Sequence, residues 1–308
     1  MQKKSRGGGR PMKTKGWIFL ALAVVSACQK AEEDFVAEKP KALEGPYTLT
    51  MEATKGEDTK ALKLINSEST LTALWVDGEE VAVYLGGTYL GQLAATADGT
   101  DNTKATLSGT LESVAGVANN AVLTLLFPRK DWDYTGQNGA APSEAGDLAT
   151  KYDYATASVT VASVDDVNRT ISVASGADFE NQQSVYRFGF KVSDTPLSVK
   201  EFTVSSDHNK LVTSRSYSGG WTSTYGALIV TPAAATSELL YLSVRNENTN
   251  TGEADKFSFY VIGNDNALYL GEKDIPGDKL GNGKFISAQN IPVTKSNLAQ
   301  SGTATVVW

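Results

Sequence analysis

The stretch PYTLTMEATKGEDTKAL, residues 46–62, decides the fold. Its first half alternates: Tyr47, Leu49, Met51 and Ala53 fall on one side of an extended chain, and Thr48, Thr50, Glu52 and Thr54 on the other. Such period-two alternation marks a half-buried β-strand. The strand runs straight into Lys55-Gly56-Glu57-Asp58-Thr59-Lys60, a charged segment whose two lysines offer bonds to a trypsin-like protease. A core strand tethered by so cuttable a segment needs an explanation.

Outward from this stretch, extended segments recur at short intervals between Gly, Asn and Asp turns. Residues 74–76 and 81–84 flank Asp77-Gly78-Glu79-Glu80, a hairpin-type turn. Residues 121–127 form a continuous apolar run between Asn120 and Pro128, as a fully buried strand does. Ala157, Val159 and Val161 alternate with polar residues, and so do Tyr186, Phe188, Phe190 and Val192. Further strands are expected at 227–231, 239–244, 257–262, 267–270, 284–287 and 304–308, with 246–255 as a hairpin tip between two of them. No helical periodicity is sustained, and 142–150 supports a turn of helix at most. Many short strands without βαβ alternation predict an all-β sandwich architecture. The length predicts two sandwiches in tandem, 46–176 and 177–308, breaking near Gly176.

Composition removes whole classes of chemistry. The 308 residues are 41% hydrophobic, enough for a core, and include one Cys and one His. Neither a disulfide framework nor a Cys/His zinc site can be built from them, and no metal or cofactor is expected. The one His, His208, lies in the polar run Ser205-Ser206-Asp207-His208-Asn209-Lys210 and reads as a solvated loop residue. Asp98-Gly99-Thr100-Asp101-Asn102 is acidic but lacks the EF-hand pattern.

The N-terminus sets the compartment. Six basic residues precede the apolar run 17–25, too short to span a bilayer, and Val25-Ser26-Ala27-Cys28 follows. This is the pattern of a secretory signal, 1–27, with Met12 as an alternative start. Its ending resembles the lipobox of bacterial lipoproteins, in which Cys28 is acylated and anchors the chain to the outer membrane. Residues 28–45 form a polar tether, and its Gln29-Lys30-Ala31-Glu32-Glu33-Asp34 resembles a surface-export signal. Without the signal, 22 of the 28 basic residues remain against all 35 acidic ones, a net charge near −13. No basic patch is left for a nucleic acid.

The lipobox, the alternating strand, Thr59-Lys60-Ala61-Leu62 and Trp75-x-x-Gly78-Glu79-x-Val81 together resemble the opening of the fimbrillin family. These are lipoprotein-derived pilins and accessory subunits of Gram-negative oral and gut anaerobes. Asp153-Tyr154-Ala155-Thr156-Ala157, Phe188-Gly189-Phe190 and Leu280-Gly281-Asn282-Gly283-Lys284-Phe285 extend the resemblance over nearly the whole chain. It implies two transthyretin-like β-sandwich domains in tandem. It also implies proteolysis after a basic residue behind the first strand, here at Lys60–Ala61. The strand carrying Tyr47, Leu49, Met51 and Ala53 would leave with the lipid, and an extended strand from another fimbrial subunit would take its groove. The C-terminal segment with Ala304, Val306 and Trp308 on one face is a candidate donor strand, or else the last strand of its own domain. Position 60 is Lys where the family usually has Arg, which leaves open an uncut anchor subunit.

Two rival readings stand beside this one. Trp132 and Tyr134 in Asp131-Trp132-Asp133-Tyr134, and Trp221 after Gly219-Gly220, lie in loop-like surroundings where exposed rings could stack on sugars of a host or bacterial surface; the bland reading is hydrophobic clasps. A glycosidase would need facing carboxylates. Asp131, Asp133, Asp153, Asp165 and Asp166 are better read as turn residues and solvated faces, so no enzyme is expected.

Overall fold

Period-two burial runs through Tyr47–Lys55, Ala177–Asn181 and Asp255–Gly263, whereas Ser184–Val192, expected to alternate, and Leu240–Val244 are buried on both faces. A computed structural model describes residues 45–55, 63–64, 71–143, 145–208, 210–247 and 252–297. The start at Met12, Cys28, Lys60, Ala61, Ala304, Val306 and Trp308 lie outside the described residues.

The strands of the N-terminal half are β1 (Tyr47–Lys55), β2 (Lys63–Leu64), β3 (Leu71–Thr72), β4 (Glu80–Leu85), β5 (Thr88–Ala97), β6 (Lys104–Leu111), β7 (Val122–Phe127), β8 (Asp131–Asp133), β9 (Ala155–Asp165), β10 (Thr170–Val173) and β11 (Ala177–Asn181). The C-terminal half contributes β12 (Ser184–Val192), β13 (Thr195–Pro196), β14 (Val199–Ser206), β15 (Val212–Tyr217), β16 (Trp221–Tyr225), β17 (Leu228–Val230), β18 (Leu240–Val244), β19 (Asp255–Gly263), β20 (Leu268–Ile275) and β21 (Phe285–Lys295). One turn of helix, α1 (Asp147–Thr150), falls within 142–150. The protein is all-β, in two successive sheet units.

The first sheet closes on itself. β1 pairs antiparallel with β6 over eight residue pairs, from Tyr47 opposite Leu111 to Thr54 opposite Lys104. Its other edge pairs in parallel with β10 and β11. The ring continues through β9, β7, β4 and β5 back to β6. β1 therefore has no free edge, and it completes the ring. Gly109 permits the close approach of β6 to β5, since a Cβ there would stand 2.3 Å from the Gln92 carbonyl oxygen. Inside, Trp75 meets the edges of Phe127 and Phe179 at 5.4 and 5.2 Å between ring centres, over a floor of Leu and Val from β4 to β9.

The second sheet runs β13-β12-β21-β20-β19-β14-β17, with β18 also on β12. Its core is aromatic: Phe188, Phe190, Phe202 and Phe259 pack with ring centres 5.0 to 6.3 Å apart. A smaller sheet, β8-β15-β16, lies beside it.

Three expectations are corrected here. The strand Ala177–Asn181, beyond the break expected near Gly176, pairs with β1 and β9 and puts Phe179 into the first core, so the sheets change over between Asn181 and Ser184. Residues 246–255 are not a hairpin tip: β18 pairs with β12, while β19 pairs with β14 and β20. Residues 74–76 are not the hairpin partner of 81–84. β4 instead pairs with β5 across Gly86-Gly87, where Gly86 takes the positive φ (57°) that a two-residue turn requires.

Candidate functional site

β1 is the element that the sequence singles out, and its seat is built from both ends. Tyr47, Leu49, Met51 and Ala53 all point inward and are buried. At the N-terminal end the Tyr47 hydroxyl donates to Asp166 Oδ1 at 2.6 Å, and the Arg169 guanidinium lies 5.3 Å from the ring centre. The hydrogen bond to Asp166, with burial behind it, pushes the phenol pKa up. Outward-facing side chains stitch the strand to its neighbours: Thr50 Oγ1 meets Ser108 Oγ at 2.8 Å, and Thr54 Oγ1 donates to Asp178.

Lys55 is the fifth inward residue of β1, only 2% exposed, so it is not one of two solvent-facing lysines of a loop. Its ammonium donates to Asp153 Oδ2 at 3.1 Å, Glu79 Oε2 at 3.1 Å and the Leu74 carbonyl at 3.0 Å. Three donors thus meet three acceptors, the full capacity of an ammonium group. The rings of Phe127 and Trp75 lie 3.9 and 4.4 Å from the nitrogen, at cation–π distance.

The acceptors are themselves held. Glu79 Oε2 takes the Val76 N–H at 3.0 Å, which folds 76–79 into a turn over the end of β1. Gln183 donates to the other oxygen of Asp153 at 3.4 Å, and its own carbonyl accepts the Tyr154 N–H. Burial raises the Glu79 pKa, and Lys55 opposes the shift without cancelling it. Asp153 is 5% exposed, which corrects its reading as a solvated turn residue. Trp75, Glu79, Phe127 and Asp153 also line an open cleft of about 1170 Å³.

Two of the three proposed sugar-stacking rings are buried and cannot stack on a sugar. Trp132 and Tyr134 are buried in the second core, with Trp132 stacked on Tyr154 at 5.1 Å and its indole N–H donating to the Arg129 carbonyl. Burial pushes the Tyr134 phenol pKa far up. Trp221 is half-buried, 4.0 Å from Trp132 between ring centres and 4.2 Å from the Arg215 guanidinium. Burial of Arg215, with Arg245 close by, lowers its pKa to about 10. These rings form a clasp between β8, β15 and β16.

His208 is tied to the second unit. Its Nδ1 lies 3.1 Å from Oδ1 of buried Asp255, whose Oδ2 accepts Ser206 Oγ at 2.6 Å and Asn246 Nδ2 at 3.0 Å. Here the carboxylate stands between hydroxyl and imidazole. In a nucleophilic triad the imidazole stands in the middle. Asp98, Asp101 and Asp165 each accept backbone N–H groups two or three residues on, as turn-forming aspartates do.

No family model and no curated protein matches the chain in sequence. Among solved structures it is similar to a candidate cell adhesion protein from Bacteroides uniformis, at 14% identity over 82% of this chain and 96% of that one, with a TM-score of 0.42. It is similar to the C-terminally truncated tip fimbrial protein Mfa3 from Porphyromonas gingivalis, at 9% identity over 82% and 99% of the two chains and a TM-score of 0.35. A fimbrial protein from Bacteroides ovatus matches at 13% identity over 80% of this chain and 49% of its own, with a TM-score of 0.32. Likeness at this level carries no argument, and the function is argued from β1 itself.

Proposed function

We propose that this chain is a fimbrillin-like subunit, a surface lipoprotein with a structural and adhesive role rather than a catalytic one. It assembles by proteolytic release of β1 and addition of a strand from another fimbrial subunit. One observation carries the reading: β1 alone closes the first sheet, between β6 on one side and β10 and β11 on the other, and it directly precedes the Lys60–Ala61 bond. Its removal would open two hydrogen-bonding edges and an apolar groove together.

The magnitudes suit such a mechanism. Burying Tyr47, Leu49 and Met51 contributes roughly 5–8 kcal/mol, at about 1.5–3 per large side chain. That is comparable with the whole stability of a domain, about 5–15 kcal/mol. A released groove about 30 Å long, at roughly 3.3 Å for each of the nine residues of β1, would be satisfied only by another strand. Strand addition supplies main-chain hydrogen bonds for affinity and alternate side-chain pockets for specificity. Acylation of Cys28 would hold the uncut precursor at the outer membrane, and cleavage would free it.

A second reading, an uncut anchor subunit, is favoured by Lys at position 60 and by the hold of Lys55 on Asp153 and Glu79. Intact mass and N-terminal sequencing of the protein released from the cell surface separate the two. A chain beginning at Ala61 is expected. A chain found only with lipid on Cys28 would eliminate release of β1 and leave the anchor.

A further inference from the structure

We propose that the seat of Lys55 is a binding site for one basic side chain, and that it selects which strand can occupy the β1 groove. The inference rests on the strand-exchange reading above and names the partner it requires. A strand entering with the polarity of β1 must carry Lys or Arg at its fifth inward-facing position, behind four inward apolar or small residues.

Release of β1 leaves charge behind. If the bond at Lys60–Ala61 is cut and β1 leaves, Lys55 leaves with it. Asp153, 5% exposed, and Glu79 then face each other's charge with no cation, beside the rings of Trp75 and Phe127. Their loop and strand supports remain, because Val76 and Gln183 belong to the body of the protein. The vacated site keeps two carboxylates, the Leu74 carbonyl and two aromatic faces, all within reach of one point. That set of acceptors, with two aromatic faces beside it, is suited to an ammonium or guanidinium group. An apolar fifth residue would bury two unpaired charges instead.

Residues 296–308, SNLAQSGTATVVW, contain neither Lys nor Arg. None of these residues can therefore fill the seat. The occupant is a different strand: amphipathic, apolar at alternate positions and basic at its C-terminal inward position. The candidate donor strand with Ala304, Val306 and Trp308 on one face does not meet that requirement.

Peptide exchange tests this. The full chain, nicked at Lys60–Ala61 by limited proteolysis, is challenged with fluorescent synthetic peptides. These are residues 46–56, the same peptide with arginine or norleucine replacing Lys55, and residues 296–308. The lysine and arginine peptides should exchange into the groove. The norleucine peptide should bind at least about 100-fold more weakly, the lower end of what losing one partner of a buried ion pair does to an equilibrium. In a chain carrying Asp153→Asn and Glu79→Gln that preference should vanish.

Equal binding of the norleucine peptide, or competition by 296–308 as strong as by 46–56, would overturn the proposal. If even the native 46–56 peptide fails to exchange, strand exchange itself falls, and this proposal with it. Should the doubly substituted chain not fold, the uncut chain gives a second reading. Lys55→Arg should keep the denaturation midpoint that Lys55→Met lowers, and equal loss in both would refute the basic seat.

Discussion

Replacing Lys55 by Met removes the ammonium and keeps most of the apolar stem. Three hydrogen bonds disappear, to Asp153, Glu79 and the Leu74 carbonyl, together with both ring contacts. Breaking a buried ion pair by deleting one partner destabilises by about 3–5 kcal/mol, because the other charge stays buried. The thioether returns part of this through sulfur–aromatic contacts of about 0.3–1.5 kcal/mol with Trp75 and Phe127. A net loss of about 2–4 kcal/mol at pH 7 is expected. At a urea dependence of about 3 kcal/mol/M, that lowers the unfolding midpoint by roughly 1 M.

The loss should shrink in acid. The folded-state pKa of Glu79 is already raised by burial, and without Lys55 it rises further. A carboxyl raised in the folded state stabilises most below its ordinary value of 4.5 and loses that contribution as pH rises through the folded pKa. The gap between variant and parent should therefore narrow from pH 7 toward pH 4.5. Adding Asp153→Asn and Glu79→Gln to Lys55→Met should return the unfolding free energy to within about 1 kcal/mol of the parent, since a neutral replacement of a buried ion pair is often tolerated. Urea titrations of the full chain at several pH values measure all of this. A Lys55→Met loss below about 1 kcal/mol, or no recovery in the triple variant, would refute the reasoning.

Other outcomes follow from the same geometry. Leu49→Ala, at a fully buried position in the middle of β1, should cost about 2–5 kcal/mol by urea titration. Trp132→Ala should destabilise by about 3–5 kcal/mol, and its circular dichroism melt should fall while glycan-array binding is unaltered. Asp265 accepts from Lys295 at 2.8 Å, from the Ala267 N–H and from the Tyr269 hydroxyl, which together lower its pKa to about 2. Its contribution is present above the ordinary value of 3.8 and is lost as pH falls through about 2, so Asp265→Asn should flatten the thermal-stability profile across that window.

The pattern that revealed β1 also contained what the sequence reading passed over. Tyr47, Leu49, Met51 and Ala53 are legible as one face, and strict parity puts Lys55 on that face too. Its charge disguises it, because a buried lysine is credible only once its partners are known, and Asp153 is 98 residues away. The same parity runs through Asp131-Trp132-Asp133-Tyr134, where the rings point in and the carboxylates out. Acidic neighbours make that segment look like a loop.

What parity cannot supply is the choice of partner. Residues 246–255 have the composition of a hairpin tip, yet β18 finds its partner in β12 and β19 in β14 and β20, by packing of the aromatic core rather than by proximity in the chain. Ring closure through β1 and β6 is equally non-local, with Tyr47 opposite Leu111. Alternation makes β1, β9 and β12 legible, but β5, β6, β14, β15 and β16 carry no signal that marks them in the sequence, and β6 is the partner that makes β1 a closing strand.

A reversible lock on β1 shows whether the strand must leave before subunits assemble. Thr50 and Ser108 face each other across β1 and β6 with their hydroxyl oxygens 2.8 Å apart, a geometry into which a disulfide fits. The chain with Thr50→Cys and Ser108→Cys, produced in cells lacking the parent, is examined for surface polymer by immuno-electron microscopy and unheated gel electrophoresis, with and without reductant. Monomer is expected while the disulfide is intact, and polymer once it is reduced. Polymer of equal length in both states would show that assembly proceeds with β1 in place, and would contradict its release.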